Sequence, residues 1–157
     1  MMQQLSAWDR RFIDMAILVS SWSKDPSTKV GAVVVNDHNQ VLSVGFNGFP
    51  RGVFDFEDRY TNRETKLLFV AHAEQNALDS CFVDAKGTTI YTTLSPCFHC
   101  AKSIIQRGVK RVIAPQPSAE RLRSSGLHLD VALKMFGEAG VECLFVEDGH
   151  KFAALTK

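Results

Sequence analysis

TTIYTTLSPCFHCAKSIIQRGVKRVIA, residues 88–114, holds the pattern that decides the fold. Residues 88–94 are rich in β-branched side chains, which pack well on a pleated surface, and they read as a strand. CFHCAKSIIQR, after Pro96, reads as a helix closed by Gly108, a residue free to take the left-handed conformation that ends helices. KRVIA (110–114) is a second strand. The unit is therefore strand, helix, strand.

The pattern continues on both sides. Leu129, Ala132, Leu133, Phe136 and Ala139 mark a last helix stopped by Gly140, and VECLFV (141–146) is a further strand. Upstream, AEQNALDSCF (73–82) reads as a helix with Ala77, Leu78, Cys81 and Phe82 on its buried side, and 62–69 as a short helix. VGAVVV (30–35) and VLSVGF (41–46), joined across Asn36–Gln40, form a β-hairpin. Leu5, Trp8, Phe12, Met15, Val19 and Trp22 step by 3, 4, 3, 4 and 3, which places one apolar stripe on an N-terminal helix that Asp25-Pro26 breaks. Residues 47–61 are rich in Gly, Phe and charge, and long for a loop without a role. Two strands, then helices alternating with three more, describe an α/β class chain: one three-layer α/β/α domain over 1–157 with a mixed five-stranded sheet.

Bulk properties narrow the function. The 157 residues suit one domain with a sizeable core, at 45% hydrophobic and 22% charged. A net charge of +1 offers no general attraction for nucleic acid or anionic membrane. The apolar runs are strand-sized, and MMQQLSAWDRRF lacks the apolar stretch of a signal peptide, so the expected location is cytoplasmic. There a Cys-x-x-Cys pair reads as metal-binding or redox-active, not as a disulfide.

HAE, starting at His72, and PCFHC, ending at Cys100, are the two motifs with chemistry in them. Both fall at strand-to-helix junctions, near residues 72 and 96, where α/β folds place ligands. His72, Cys97 and Cys100 supply one imidazole and two thiols, enough for zinc with a fourth position left open to water, as catalytic zinc requires. The partial positive charge at a helix start favours the thiolate form of both cysteines. Residues 72 and 74 would point about 200° apart on a regular helix, so His72 and Glu74 converge only if the site lies off the helix end. Two thiolates cancel the charge of the metal and weaken it as an acidifier of water. A carboxylate must then take the proton, and Glu74 is that group.

H-x-E followed by P-C-x-x-C resembles the signature of the zinc-dependent cytidine and deoxycytidylate deaminase family. SKDPSTKVGAVVV (23–35), VGFNGFPRG (44–52) and TLSPCFHCAKSIIQRGVKRVI (93–113) resemble its deoxycytidylate (dCMP) branch. The resemblance implies a cytidine-deaminase-like fold, one Zn²⁺ per chain, and hydrolytic deamination of a small pyrimidine nucleotide or nucleoside. It also implies Glu74 as proton carrier and Asn47 on a sugar hydroxyl. Main-chain groups of Ala73, Ser95 and Cys97 would lie on the ring edge and attacking oxygen, and Arg51 on a phosphate or effector. The resemblance also points to homo-oligomers, often hexamers; independently, Phe49, Phe54, Phe56 and Tyr60 lie in a stretch too short to bury them alone, which suggests a subunit contact.

Two departures stand out. No tyrosine follows Tyr91, where dCMP deaminases usually carry one beside the phosphate, although Arg121, Arg123, Arg51 and Lys29 offer other sources of charge. Residues 48–71 hold neither Cys nor His, so a second, structural zinc is not expected. The substrate reading is dCMP, with a free nucleoside or nucleobase as the alternative. A non-catalytic zinc module binding nucleic acid fits less well, for want of a fourth ligand and a basic patch. His99 should point away from the metal, His38, His128 and His150 read as surface residues, and Cys81 and Cys143 as packing thiols.

Overall fold

A computed structural model describes residues 5–147; His150 lies outside them. Helix α1 (Ala7–Ser20) is followed by β1 (Gly31–Val35), β2 (Val41–Phe46), α2 (Glu57–Thr61), α3 (Arg63–Phe69) and α4 (Ala73–Asp79). Then come β3 (Thr89–Thr92), α5 (Phe98–Gln106), β4 (Arg111–Pro115), α6 (Ala119–Arg123), α7 (Leu129–Ala139) and β5 (Glu142–Val146). The five strands form one mixed sheet in the order β2-β1-β3-β4-β5. β1 runs antiparallel to both β2 and β3, while β3, β4 and β5 are parallel. The expected three-layer α/β/α architecture is present.

β1 is buried along its whole length because both faces of the sheet are covered there. Val33, Val35, Tyr91 and Ile113 meet Phe12, Ile13, Ala16 and Val19 of α1 on one face. Ala32, Val34, Ile90 and Val112 meet α4, α5 and α7 on the other, through Ala77, Leu78, Ile104 and Phe136. Two glycines set the spacing of these layers. A Cβ at Gly31 would collide with the backbone of Ala16 and Ser20, and one at Gly45 with the backbone of Ala73 and Ala77. α4 therefore lies directly on β2, secured by Ser43 Oγ donating to the Ala77 carbonyl (2.6 Å) and Asn76 Nδ2 donating to that of Phe46 (2.8 Å).

The apolar stripe expected on α1 differs from the face it buries. Asp9, Phe12, Ile13, Ala16, Val19 and Ser20 face inward, whereas Trp8 is 45% and Trp22 50% exposed. The close approach to Gly31 demands small residues, Ala16 and Ser20, at the centre of the contact. The indoles are displaced to its flanks, Trp8 against Phe12 and Trp22 edge-on to Phe46. Asp9 is buried but not idle: it completes a capping box with Ser6 and accepts from Tyr91 Oη (2.7 Å) and Arg111 Nη1 (3.0 Å). Phe82 is likewise not inward but 87% exposed, since α4 ends at Asp79 and only Cys81 turns back into the core. Arg107, just past the end of α5, donates to the carbonyls of Leu78 (2.5 Å) and Cys81 (2.8 Å), tying the far ends of α4 and α5 together. The segments 47–61 and 114–130 contain two short helices that the sequence pattern did not mark, α2 and α6. Cys81 is buried and Cys143 half-buried, and all four cysteines are free thiols. His38, His99 and His128 are exposed.

Candidate active site

His72 and Cys97 each stand one residue before a helix. His72 is the N-cap of α4 with extended backbone (φ −70°, ψ 154°), and Cys97 is the N-cap of α5 (φ −76°, ψ 173°). Glu74 and Cys100 lie in the first turns that follow. The angular separation that a regular helix would impose on His72 and Glu74 does not apply, because His72 is outside the helix. The segment before His72 is not a strand, as a strand-to-helix junction would require. It is α3, then a single bridge between Ala71 and Gly48.

The three sequence-predicted ligands meet. Their ligand atoms lie within 4.8 Å of one another, with His72 Nδ1 3.4 Å from Cys97 Sγ and 3.3 Å from Cys100 Sγ. Tetrahedral zinc, with bonds of about 2.3 Å to sulfur and 2.0 Å to nitrogen, sets an S···N edge of about 3.5 Å. The donor set fits that ion in number, type and spacing. Among themselves the groups share protons unevenly. The Cys100 thiol beside it and the His72 ring pull the Cys97 pKa down to about 3, against the effect of burial. Cys100 is pushed upward by the Cys97 thiolate, by burial and by the Glu74 carboxylate. The His72 pKa is raised, chiefly by its bond to Cys97.

Glu74 is 4% exposed, with Oε2 3.4 Å from Cys100 Sγ and Oε1 3.1 Å from Thr92 Oγ1. Its carboxylate is thus hydrogen-bonded to the ligand set, and it lines the same cavity as His72 and Cys97.

That cavity, of about 230 Å³, has His72, Ala73, Glu74 and Cys97 lining one part of it. Val30, Asn47, Val70, Leu94 and Leu127 line its sides, and Asp25, Arg63, Lys66 and Arg121 bring charge to it. Asn47 and Ala73 thus both line this cavity. Ser95 does not line the cavity; its hydroxyl and carbonyl accept from Arg121 (Nε 3.0 Å, Nη2 2.6 Å), which does. Burial lowers the Arg121 pKa, while Glu74, Cys97 and Cys100 act in the opposite direction. Arg51 is not in this cavity: it bonds Ser80 Oγ and lines a larger hollow of about 430 Å³ with Gly45, Phe46 and Asn76. Lys29 and Arg123 do not line the cavity either. The sequence reading missed Asp25, Arg63 and Lys66. The SKDP motif contained the first without assigning it a role.

Residues 6–115 match the family described as the cytidine and deoxycytidylate deaminase zinc-binding region. This chain belongs to that family. Within it, an uncharacterized deaminase of Aliivibrio fischeri is 47% identical over 138 residues, covering 88% of this chain and 92% of the relative. The mouse deoxycytidylate deaminase is 42% identical over 112 residues, covering 68% of this chain and 63% of that enzyme. The probable deoxycytidylate deaminase of Drosophila melanogaster is matched over 58% of its length. Among solved structures, the dCMP deaminase of cyanophage S-TIM5 in complex with dCMP and dUMP superposes with a TM-score of 0.71 at 30% identity, covering 92% of this chain and 100% of that one. Fold, ligand cluster and family agree on a zinc-dependent deaminase of the cytosine nucleotide and nucleoside class. No helix among the described residues is long and apolar enough to cross a membrane.

Proposed function

We propose that this protein hydrolyses dCMP to dUMP and ammonia, with zinc held by His72, Cys97 and Cys100 and with Glu74 as proton carrier. The observation that carries the reading is the Glu74 carboxylate, buried beside the ligand triad and held by Thr92 without being counted in the triad. When bound, zinc supplies Lewis acidity and lowers the pKa of water at the site. Glu74 takes a proton from that water as its oxygen adds to the ring carbon bearing the amine, and delivers it to the adjacent ring nitrogen. The second proton passes to the amine as the C–N bond breaks, so water is consumed and ammonia leaves. Burial keeps Glu74 away from bulk solvent, and the N–H groups of Ala73 and Cys97, at helix starts, favour developing negative charge.

The 5′-phosphate part of the reading rests on the names of the relatives and on the cations of the cavity. Lys66 is paired with Asp25 and Arg121 with Ser95, while Arg63 has no hydrogen-bond or ion-pair partner among the described residues. Arg63 is therefore the group best placed to meet a phosphate dianion, in the bidentate manner that guanidinium allows. The missing tyrosine favours a second reading, a free nucleoside. Turnover of dCMP, CMP, deoxycytidine, cytidine and cytosine by the zinc-loaded protein separates the two. For dCMP, kcat/KM should exceed that for deoxycytidine by at least about a hundredfold, from one or two charge-assisted hydrogen bonds. Equal activity on deoxycytidine overturns the dCMP assignment. Self-association belongs to the same proposal. Phe49 stacks on Tyr60 within its own segment, but Phe54 and Phe56 remain exposed, and light scattering should show an oligomer at micromolar concentration.

A further inference from the structure

Asn47 is held in the cavity wall by groups that permit only one orientation of its amide. Oδ1 accepts from the Val30 N–H at 2.8 Å, and Nδ2 donates to the Thr28 carbonyl at 2.9 Å, with Asp25 Oδ2 at 3.4 Å. A main-chain N–H can only donate, and a carbonyl or carboxylate oxygen can only accept. Turning the amide over would set N–H against N–H and oxygen against two oxygens, at a buried position where unmade bonds are costly. Nδ2 is therefore spent on the protein, and only the second lone pair of Oδ1 is left for a ligand.

Asp25 is the centre of this arrangement. Its Oδ1 accepts from the N–H groups of Ser27 (2.8 Å) and Thr28 (3.1 Å), which fixes the turn carrying the Thr28 carbonyl, and its Oδ2 faces Asn47. Lys66 Nζ, 3.1 Å from Oδ1, neutralises it, and both side chains of the pair are more than nine-tenths buried. A buried ion pair adds little to stability compared with apolar residues of the same volume, but it fixes geometry.

We infer that Asp25, charge-balanced by Lys66, is a positioning residue: it holds the turn whose Thr28 carbonyl, together with the Val30 N–H, keeps Asn47 a hydrogen-bond acceptor. The cavity thereby selects a sugar that presents a hydroxyl donor and rejects one with an acceptor or nothing in that place. This rests on Asn47 as the sugar contact, not on the phosphate. The test accordingly uses whichever of dCMP or deoxycytidine is turned over faster, so a preference for deoxycytidine removes the dCMP reading and leaves this one standing.

The first arm compares substrates carrying hydroxyl, hydrogen or fluorine at the 3′ position, with the zinc-loaded wild-type chain. Fluorine fills the space but cannot donate. Both replacements should lower kcat/KM by about tenfold or more, the scale of one lost bond plus an unsatisfied buried acceptor, and mainly through KM. The second arm uses the double variant Asp25→Ala/Lys66→Met, which leaves no lone buried charge and removes the acceptor of the Ser27 and Thr28 N–H groups. Its hydroxyl-to-fluorine ratio should fall to within about threefold, because the Thr28 turn and with it Asn47 lose their fixed placement, while Lys66→Arg keeps the wild-type ratio. If that variant does not melt cooperatively, Asp25→Asn/Lys66→Met takes its place with the same direction expected, since one amide oxygen cannot serve both the turn and Asn47 as the two carboxylate oxygens do. Equal turnover of the 3′-fluoro and 3′-hydroxyl substrates by the wild type overturns the inference. So does a folded variant that keeps the wild-type ratio, or a wild type that deaminates cytosine as fast as either sugar-bearing substrate.

Discussion

Thr92 Oγ1 lies 3.1 Å from Glu74 Oε1, joining the end of the central strand β3 to the first turn of α4 across a buried contact. The threonine has one proton for two acceptors, Glu74 and the Leu94 carbonyl, also at 3.1 Å. The bond to the carboxylate steadies the group proposed to carry protons from water to the ring. Thr92→Val keeps the shape and removes the donor, so kcat should fall about tenfold with a smaller change in KM, consistent with one hydrogen bond lost. Unchanged kcat in the valine variant would show that Glu74 needs no such support.

Metal binding and proton transfer should separate by substitution. Elemental analysis of the purified chain should give about one zinc per chain. Cys97→Ser and Cys100→Ser should lose zinc and turnover together. Glu74→Gln should keep the zinc and the melting behaviour while kcat drops by at least about a hundredfold. An active preparation without metal would sink the scheme.

At Gly45 a side chain has no room. Gly45→Ala forces α4 away from β2 against the backbone of Ala73 and Ala77, next to His72 and Glu74. The variant should lose about 1–3 kcal/mol in denaturant unfolding and, in whatever fraction folds, bind zinc more weakly. The corresponding change at Gly52, where no atom lies within 4 Å of an added Cβ, meets no such neighbour; its cost would come from the backbone, with φ at +81°.

Acid should act on the protein partly through Asp9. Burial opposes its ionisation, but the Ser6 N–H, Tyr91 hydroxyl and Arg111 guanidinium together hold its pKa below the ordinary 3.8. The unfolded chain therefore takes up the Asp9 proton first as pH falls. The group stabilises the fold above 3.8 and loses that contribution as pH drops through the lower folded value. Melting midpoints measured from about pH 6 to about pH 2.5 should fall less steeply in Asp9→Asn than in the wild type, from a lower starting point.

The architecture and the triad were legible because each is written in local terms. Alternating strands and helices follow from short-range periodicity, and His72, Glu74, Cys97 and Cys100 sit at helix starts that neighbouring residues mark. What escaped is set by distant packing. Lys66 meets Asp25 across 41 residues, and Asn47 meets it across 22, so neither spacing nor composition announces the pair. Trp8 and Trp22 have the spacing of core residues, yet Gly31 reserves the centre of that interface for Ala16 and Ser20. Arg51, expected on a phosphate or effector, is carried by the turn after Pro50 to Ser80 and a second hollow, a placement set by packing and not by its motif.

Arg107 clamps α4 and α5 at the ends remote from the triad. The two helices that present the ligands are thus braced by a guanidinium on main-chain carbonyls, a contact that needs no ion. That brace should hold the helix starts together whether or not zinc is bound. Chelation should then yield a protein that is inactive but still folded, able to recover as soon as zinc returns, unlike small zinc domains that unravel without it.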